Sequence, residues 1–289
     1  MNSQRRTDLA AELDLADRSN IHEQVEKHGG VTVSTVEILT EAAAERIGKP
    51  KGKYITLDIG KVWLASDRDF ENAAELISDK LKLLGEELCG KLPDSVLIVG
   101  LGNRRITADA LGDEAVGLIT VTRHLKTHNN RLFGLLGGRE IAAVAPGVLG
   151  QTGIEVAEVV LGVCEQIKPS LVIAIDALCA RSTDRLATTV QLGSTGITPG
   201  SGIGNHRRAI NCETLGVPVI AFGVPTVVES ATLVLDALAE AGIDDPDDRL
   251  LEVLGNRRGF FVTPKETDTI VRELSRLTAR ALTLTFGGL

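Results

Sequence analysis

The sequence predicts an α/β fold, a three-layer sandwich with a mostly parallel central sheet flanked by helices. Apolar runs of strand length at 95–100, 171–176 and 217–222 alternate with segments of helical periodicity, the pattern of βαβ units. Aromatic residues make up only 3% of the 289-residue chain, which leaves a core of Val, Ile, Leu and Ala suited to strands covered on both faces. At 43% hydrophobic, the chain can bury a sizeable core as one large or two smaller domains.

Taken in order, the first 30 residues are polar, end in His28-Gly29-Gly30, and read as a mobile lead-in. Residues 31–38 alternate as a strand should, and 54–59 are a second strand candidate. Asp69 reads as the N-cap of a helix from 70 to about 89, with Leu76, Ile77, Leu81 and Leu84 as its apolar stripe. A strand at 95–100, a helix at about 108–126, a strand at 141–144, a helix at about 153–167 and a strand at 171–176 follow. Thr152-Gly-Ile-Glu155 has capping-box spacing. Residues 187–192 suggest a strand, 193–205 form a glycine-rich loop, and 217–222 are a buried strand leading into a helix through 239. Residues 244–248 mark an exposed turn. Thr263-Pro264-Lys265-Glu266 joins a capping box to proline at a first helical position and opens a last helix to about 283.

Charge and composition exclude several function classes. The net charge is −8 and the pI about 5.3, with no basic stripe, so a general nucleic-acid binder is not expected. No run approaches the roughly 20 apolar residues that span a bilayer. The N-terminus turns acidic where a signal peptide turns apolar, so a soluble cytoplasmic protein is expected. Cys89, Cys164, Cys179 and Cys212 lie far apart without a C-x-x-C pair, which fits reduced thiols and no zinc framework.

The candidate chemistry lies in two acids. Asp109 follows the 95–100 run within the segment Gly100 to Gly112, and Asp176 closes the 171–175 run. Ligands bind at the carboxyl ends of strands in open α/β sheets, and two carboxylates meeting there can share one proton. Against this, Asp109 can simply decorate a first helical turn, and structural charges also occur at strand tips. Gly100-Leu-Gly-Asn-Arg-Arg105 lacks the last glycine of a dinucleotide fingerprint, so a tight turn is the better reading. Residues 200–204 read as a flexible substrate-facing loop, His124 and His128 as a solvated helical face, and Cys179 as a small core residue.

The chain resembles the germination protease of spore-forming bacteria. The likeness is carried by Arg6-Thr-Asp-Leu-Ala10, Leu97-Ile-Val-Gly-Leu-Gly-Asn103 with Thr107-Ala-Asp-Ala-Leu-Gly112, and Val172-Ile-Ala-Ile-Asp-Ala-Leu178 with Ala180-Arg181. Pro199-Gly-Ser-Gly202, Gly223-Val-Pro-Thr-Val-Val228 and Val262-Thr-Pro-Lys-Glu266 extend it along the whole chain. A weaker likeness to hydrogenase-maturation endopeptidases keeps a metal-dependent hydrolase as the alternative. What the resemblance implies is a phosphorylase/hydrolase-like sandwich and an endopeptidase that starts the degradation of small acid-soluble spore proteins in the spore core. It implies no cofactor, a homotetramer, and a zymogen whose short pro-segment, residues 1–6, precedes one protease domain, 7–289. Asp109 and Asp176 map onto the family's essential aspartates, and Arg6 and Thr7 onto the processing site. Gly102, Asn103, Arg181 and Gly202 are candidates for binding substrate or stabilising an oxyanion.

Overall fold

The computed structural model describes residues 7–13, 18–200, 207–243, 246–256 and 259–287. Among them the strands are β1 (Ile21–His28), β2 (Val31–Ile38), β3 (Gly52–Asp58), β4 (Ser95–Gly100), β5 (Glu140–Val144), β6 (Leu171–Ala180), β7 (Thr189–Gly193), β8 (Val219–Glu229) and β9 (Phe261–Val262). The helices are α1 (Glu41–Ile47), α2 (Asp67–Cys89), α3 (Leu111–Gly117), α4 (Leu125–His128), α5 (Asn130–Leu135), α6 (Leu149–Thr152), α7 (Val156–Ile167), α8 (Cys212–Leu215), α9 (Ser230–Glu240), α10 (Asp248–Asn256) and α11 (Thr267–Phe286).

All the strands join one sheet, in the order β1-β2-β3-β7-β8-β6-β4-β5, with β9 against β8. The α/β class expected from sequence holds, but the sheet is mixed. The β8-β6-β4-β5 portion is parallel, whereas β1, β2, β3 and β7 run antiparallel to their neighbours. The apolar runs that dominate the sequence signal lie in the parallel half, because those strands are buried on both faces.

Helices α2, α3 and α11 cover one face. Ile77, Leu81 and Leu84 of α2 and Leu274, Leu277 and Leu282 of α11 pack on Ile55, Leu57, Ile98, Ile173 and Ile220. On the other face α7 and α8 cover the parallel half through Val160, Cys164 and Leu215, and α1 covers the antiparallel half through Ala43 and Ala44. Between these two clusters, Asp176 of β6, Gly223 of β8 and Gln191 of β7 belong to neither. The site is there.

Several local expectations are corrected, each by a tertiary contact. The lead-in is not mobile throughout: β1 pairs along its whole length with β2. The strands turn at Gly29 and Gly30, whose φ values of 54° and 96° fit a two-residue hairpin. The charged residues of β1 are those of a protected sheet edge. Helix α2 is capped by Ser66, whose hydroxyl accepts from Asp69 N–H at 3.2 Å, so Asp69 lies inside the first turn. The single helix expected at 108–126 is broken after α3. Thr122 there is fully buried and bonded to the rim of β5, its hydroxyl accepting from Ile141 N–H at 3.0 Å.

Neither proposed capping box forms. Thr152 ends α6, with Gly153 left-handed at φ 73°, and Glu155 precedes α7 without capping it. Thr263 lies ahead of α11, which begins at Thr267 without a side-chain cap. Three strand limits also move. Strand β6 runs on to Ala180, and β8 runs on to Glu229 through Pro225, which is tolerated because β7 pairs with β8 only as far as Gly223. Strand β7 starts at Thr189, since Ala187 is left-handed at φ 62°. Asp244 and Asp245 of the expected turn lie outside the described residues.

Candidate active site

Asp109 is placed by glycines. Beyond β4 the chain folds back against the start of α3 so closely that a methyl group on Gly100 would lie 2.1 Å from the Gly112 carbonyl oxygen. A methyl on Gly102 would lie 2.0 Å from the Asp109 carbonyl oxygen, and the φ of Gly102 is +105°. This close approach lets Asn103 N–H donate to Asp109 Oδ2 at 2.8 Å. From β8, Thr226 Oγ1 donates to the Ala108 carbonyl at 2.6 Å and holds the same turn.

Asp176 comes from β6. The β4–β6 ladder ends at Gly100 and Ile175, so Asp176 is the first β6 residue beyond its neighbour's end. Period-two alternation sends Ile175 into the α2/α11 core and Asp176 to the opposite face. Across the sheet Asp176 pairs with Gly223 of β8, which in turn pairs with Gln191 of β7. At a strand spacing of about 4.8 Å, Asp176 and Gln191 face each other across about 10 Å of sheet. Gly223 keeps the space between them free of a side chain, and a methyl there would also meet Leu178 Cδ1 at 2.3 Å.

These residues open onto one cavity of about 670 Å³, whose wall includes Asp8, Lys49, Asp109, Asp176, Gln191 and Thr226. The N-terminal segment from Thr7 runs along the part of β6 beyond the end of β4 and adds Asp8 to the cavity wall. Asp8 N–H donates to the Cys179 carbonyl at 2.9 Å, and Cys179 N–H donates back to Asp8 Oδ2 at 2.9 Å. Leu9 is fully buried against Leu178, Ala180 and Val228. Farther on, the Glu12 carboxylate accepts from the backbone N–H of Arg181 at 2.7 Å and of Ser182 at 3.0 Å.

Burial sets the electrostatics. It drives the pKa of Asp176 well above the ordinary carboxylate value, and the nearby charges of Asp109 and Asp8 push the same way. Asp109 is also raised by burial, but the Asn103 N–H opposes the shift. The Cys179 thiol is pushed up to about 12, chiefly by burial, which leaves almost no thiolate at neutral pH. It is a buried residue of the cavity wall.

The two aspartates singled out from sequence thus meet at one cavity. Gly102 supports Asp109 by its lack of a side chain. Asn103 contributes its backbone N–H, while its side-chain oxygen is taken by Arg105 N–H at 3.0 Å and Gln151 Nε2 at 2.6 Å. Arg181 follows the end of β6 and is not part of the cavity wall. Gly202 and Arg6 lie outside the described residues, and His124 and His128 are exposed. Among the described residues no three His, Cys, Asp or Glu side chains gather closely enough to hold a metal ion. No described helix is long and apolar enough to cross a membrane.

Asp8, Lys49 and Gln191 were not legible as site residues. Gln191, an amide inside the apolar run Val190–Leu192, carried a signal in hindsight, since a buried polar side chain needs partners. Lys49 carried none. It reaches the cavity because Gly48 ends α1 in a left-handed turn at φ 73°.

Fold and site together define an α/β protein with a cavity walled by three aspartates, one of them from its own N-terminal segment. The family model for germination protease matches residues 1–240. A germination protease of Clostridium acetobutylicum is 41% identical over 278 residues, covering 88% of this chain and 84% of that protein. One from Caldanaerobacter subterraneus is 39% identical, covering 96% and 93%, and one from Bacillus subtilis is 42% identical, covering 81% and 66%. The chain belongs to the germination protease family and is an endopeptidase. Among solved structures, a NiFe hydrogenase maturation protease from Thermococcus kodakarensis is similar at a TM-score of 0.35 and 16% identity, covering 71% of this chain and 99% of that one. That likeness is too distant to inform the site.

Proposed function

We propose that this endopeptidase initiates the degradation of small acid-soluble spore proteins during germination, is made as a self-processing zymogen, and cuts through Asp109 and Asp176. One observation carries the reading: the two acids share a cavity whose wall also includes Asp8 of the chain's own N-terminal segment. Asp176, the more strongly raised of the two, keeps its proton. Asp109, with an N–H bonded to one oxygen, is the better base. Asp109 takes a proton from water as the water oxygen adds to the scissile carbonyl carbon. Asp176 then gives its proton to the leaving nitrogen as the C–N bond breaks, and the proton on Asp109 restores the starting state. Because the charges interact, the dyad titrates as a unit.

The rate therefore rises as pH climbs through the value governing Asp109 and falls as pH climbs through that of Asp176. Both limbs lie to the alkaline side of ordinary carboxylates, since burial raises both groups. A profile of kcat/KM against pH without a falling limb removes Asp176 from the acid role.

The docked segment also bears on maturation. Beside Arg6–Thr7, the processing site that the resemblance implies, we favour the bond Asp8–Leu9, because Asp8 lines the cavity and Leu9 is fully buried beyond it. We expect self-processing there, leaving a protease domain of residues 9–289. Intact-mass measurement should show loss of residues 1–8; a new N-terminus at Thr7 places the cut at Arg6–Thr7 instead. The reading further includes a homotetramer acting in the cytoplasm of the forespore or spore core, with protein rather than nucleic acid as substrate. Incubation with a small acid-soluble spore protein, with and without chelator, tests the substrate. Retention without cutting defeats the reading, and loss of cutting on chelation replaces the aspartate pair with a metal.

A further inference from the structure

We propose that Lys49 and Gln191 are the oxyanion-stabilising pair of this site, an inference that rests on the reading of Asp8–Leu9 as the bond cut in self-processing. The Asp8 carbonyl accepts two hydrogen bonds, from Lys49 Nζ and from Gln191 Nε2, each at 2.9 Å. The same Gln191 accepts from Ala10 N–H through Oε1 at 2.5 Å. Its amide thus brackets the Asp8–Leu9 linkage, and a donor at one end with an acceptor at the other leaves its orientation unambiguous. When water adds to the Asp8 carbonyl carbon, the π electrons of the C=O bond move onto this oxygen. An ammonium and an amide N–H already point at it, which is how a preorganised oxyanion hole works.

Lys49 is suited to the task by its setting. Gly48 and Pro50 flank it at the end of α1, and Tyr54 Oη donates to the Pro50 carbonyl at 2.8 Å, which fixes the loop. The residue as a whole is half-buried, and its charged end is the enclosed part; burial lowers its pKa, against the pull of Asp8. An enclosed ammonium interacts more strongly with developing charge than one in water. The bland alternative is a tether that merely holds the segment down.

The two roles separate in the full-length chain. We expect Lys49→Met and Gln191→Ala to slow the self-cut, followed by intact mass, by about 10²–10³-fold. Amide exchange of residues 7–12 in Lys49→Met should stay protected, because Cys179 and Gln191 still hold the segment. Lys49→Gln, which keeps a neutral donor, should recover part of the rate, and it carries the test if Lys49→Met fails to fold. An unchanged rate, or a slowing matched by loss of protection, reduces Lys49 to a tether and overturns the proposal. Asp176→Asn run in parallel keeps the readings apart. If it self-processes normally while Lys49→Met does not, the oxyanion pair stands and the aspartate dyad falls.

Discussion

Asp176→Asn is expected to abolish peptide cleavage while making the folded chain more stable at neutral pH. Loss of a positioned acid typically removes 10²–10⁴-fold of rate, so kcat/KM should drop by about three orders of magnitude. The stability gain follows from linkage. Burial, then Asp109 and Asp8, raise the folded pKa of Asp176 far above its unfolded value. Below the unfolded value the carboxyl is protonated in both states and adds no pH-dependent cost. As pH rises from there toward the folded value, the unfolded chain gains from ionising and the folded chain does not, so stability falls. Asparagine cannot ionise and escapes that loss. Thermal unfolding at pH 7 should show a Tm higher by about 2–5 °C, and the difference should vanish near pH 4. Asp109→Asn should lose activity comparably with a smaller gain, since Asn103 N–H already favours the ionised form. Near-normal turnover by either variant would falsify its catalytic role.

The second large effect lies in the glycines. Gly100→Ala should cost about 3 kcal/mol or more, because the new methyl would sit 2.1 Å from a backbone oxygen of Gly112 that belongs to α3 and cannot rotate away. Denaturant unfolding measures this directly, and a cost below about 1 kcal/mol would show that α3 can withdraw from β4. Gly102→Ala has a narrower expected consequence. Its φ of +105° and its 2.0 Å approach to the Asp109 carbonyl tie it to the catalytic turn, so activity should fall further than stability.

What was legible in the sequence was whatever depends on period and on local chemistry. The 95–100, 171–176 and 217–222 runs appear as β4 and within β6 and β8, because strands buried on both faces need uninterrupted apolar residues. Asp109 and Asp176 stood out because each interrupts or follows such a run. Strand β1 was missed because its polar residues carry no alternation; its pairing with β2 defines it. The helix at 108–126 was overextended because Thr122 gives up helical hydrogen bonds for bonds to β5, a choice visible only once the two segments are adjacent.

The chain by itself determined an α/β class, a family, and two acids at the right end of the sheet, since these rest on side-chain type and spacing along one line. Tertiary structure alone decided that a third acid, Asp8, stands with them and that a lysine and a glutamine reach one carbonyl of the docked segment. Those residues lie up to 183 positions apart. Only the registers of β6, β8 and β7 and the left-handed end of α1 bring them within hydrogen-bonding distance, and neither is encoded by any local pattern.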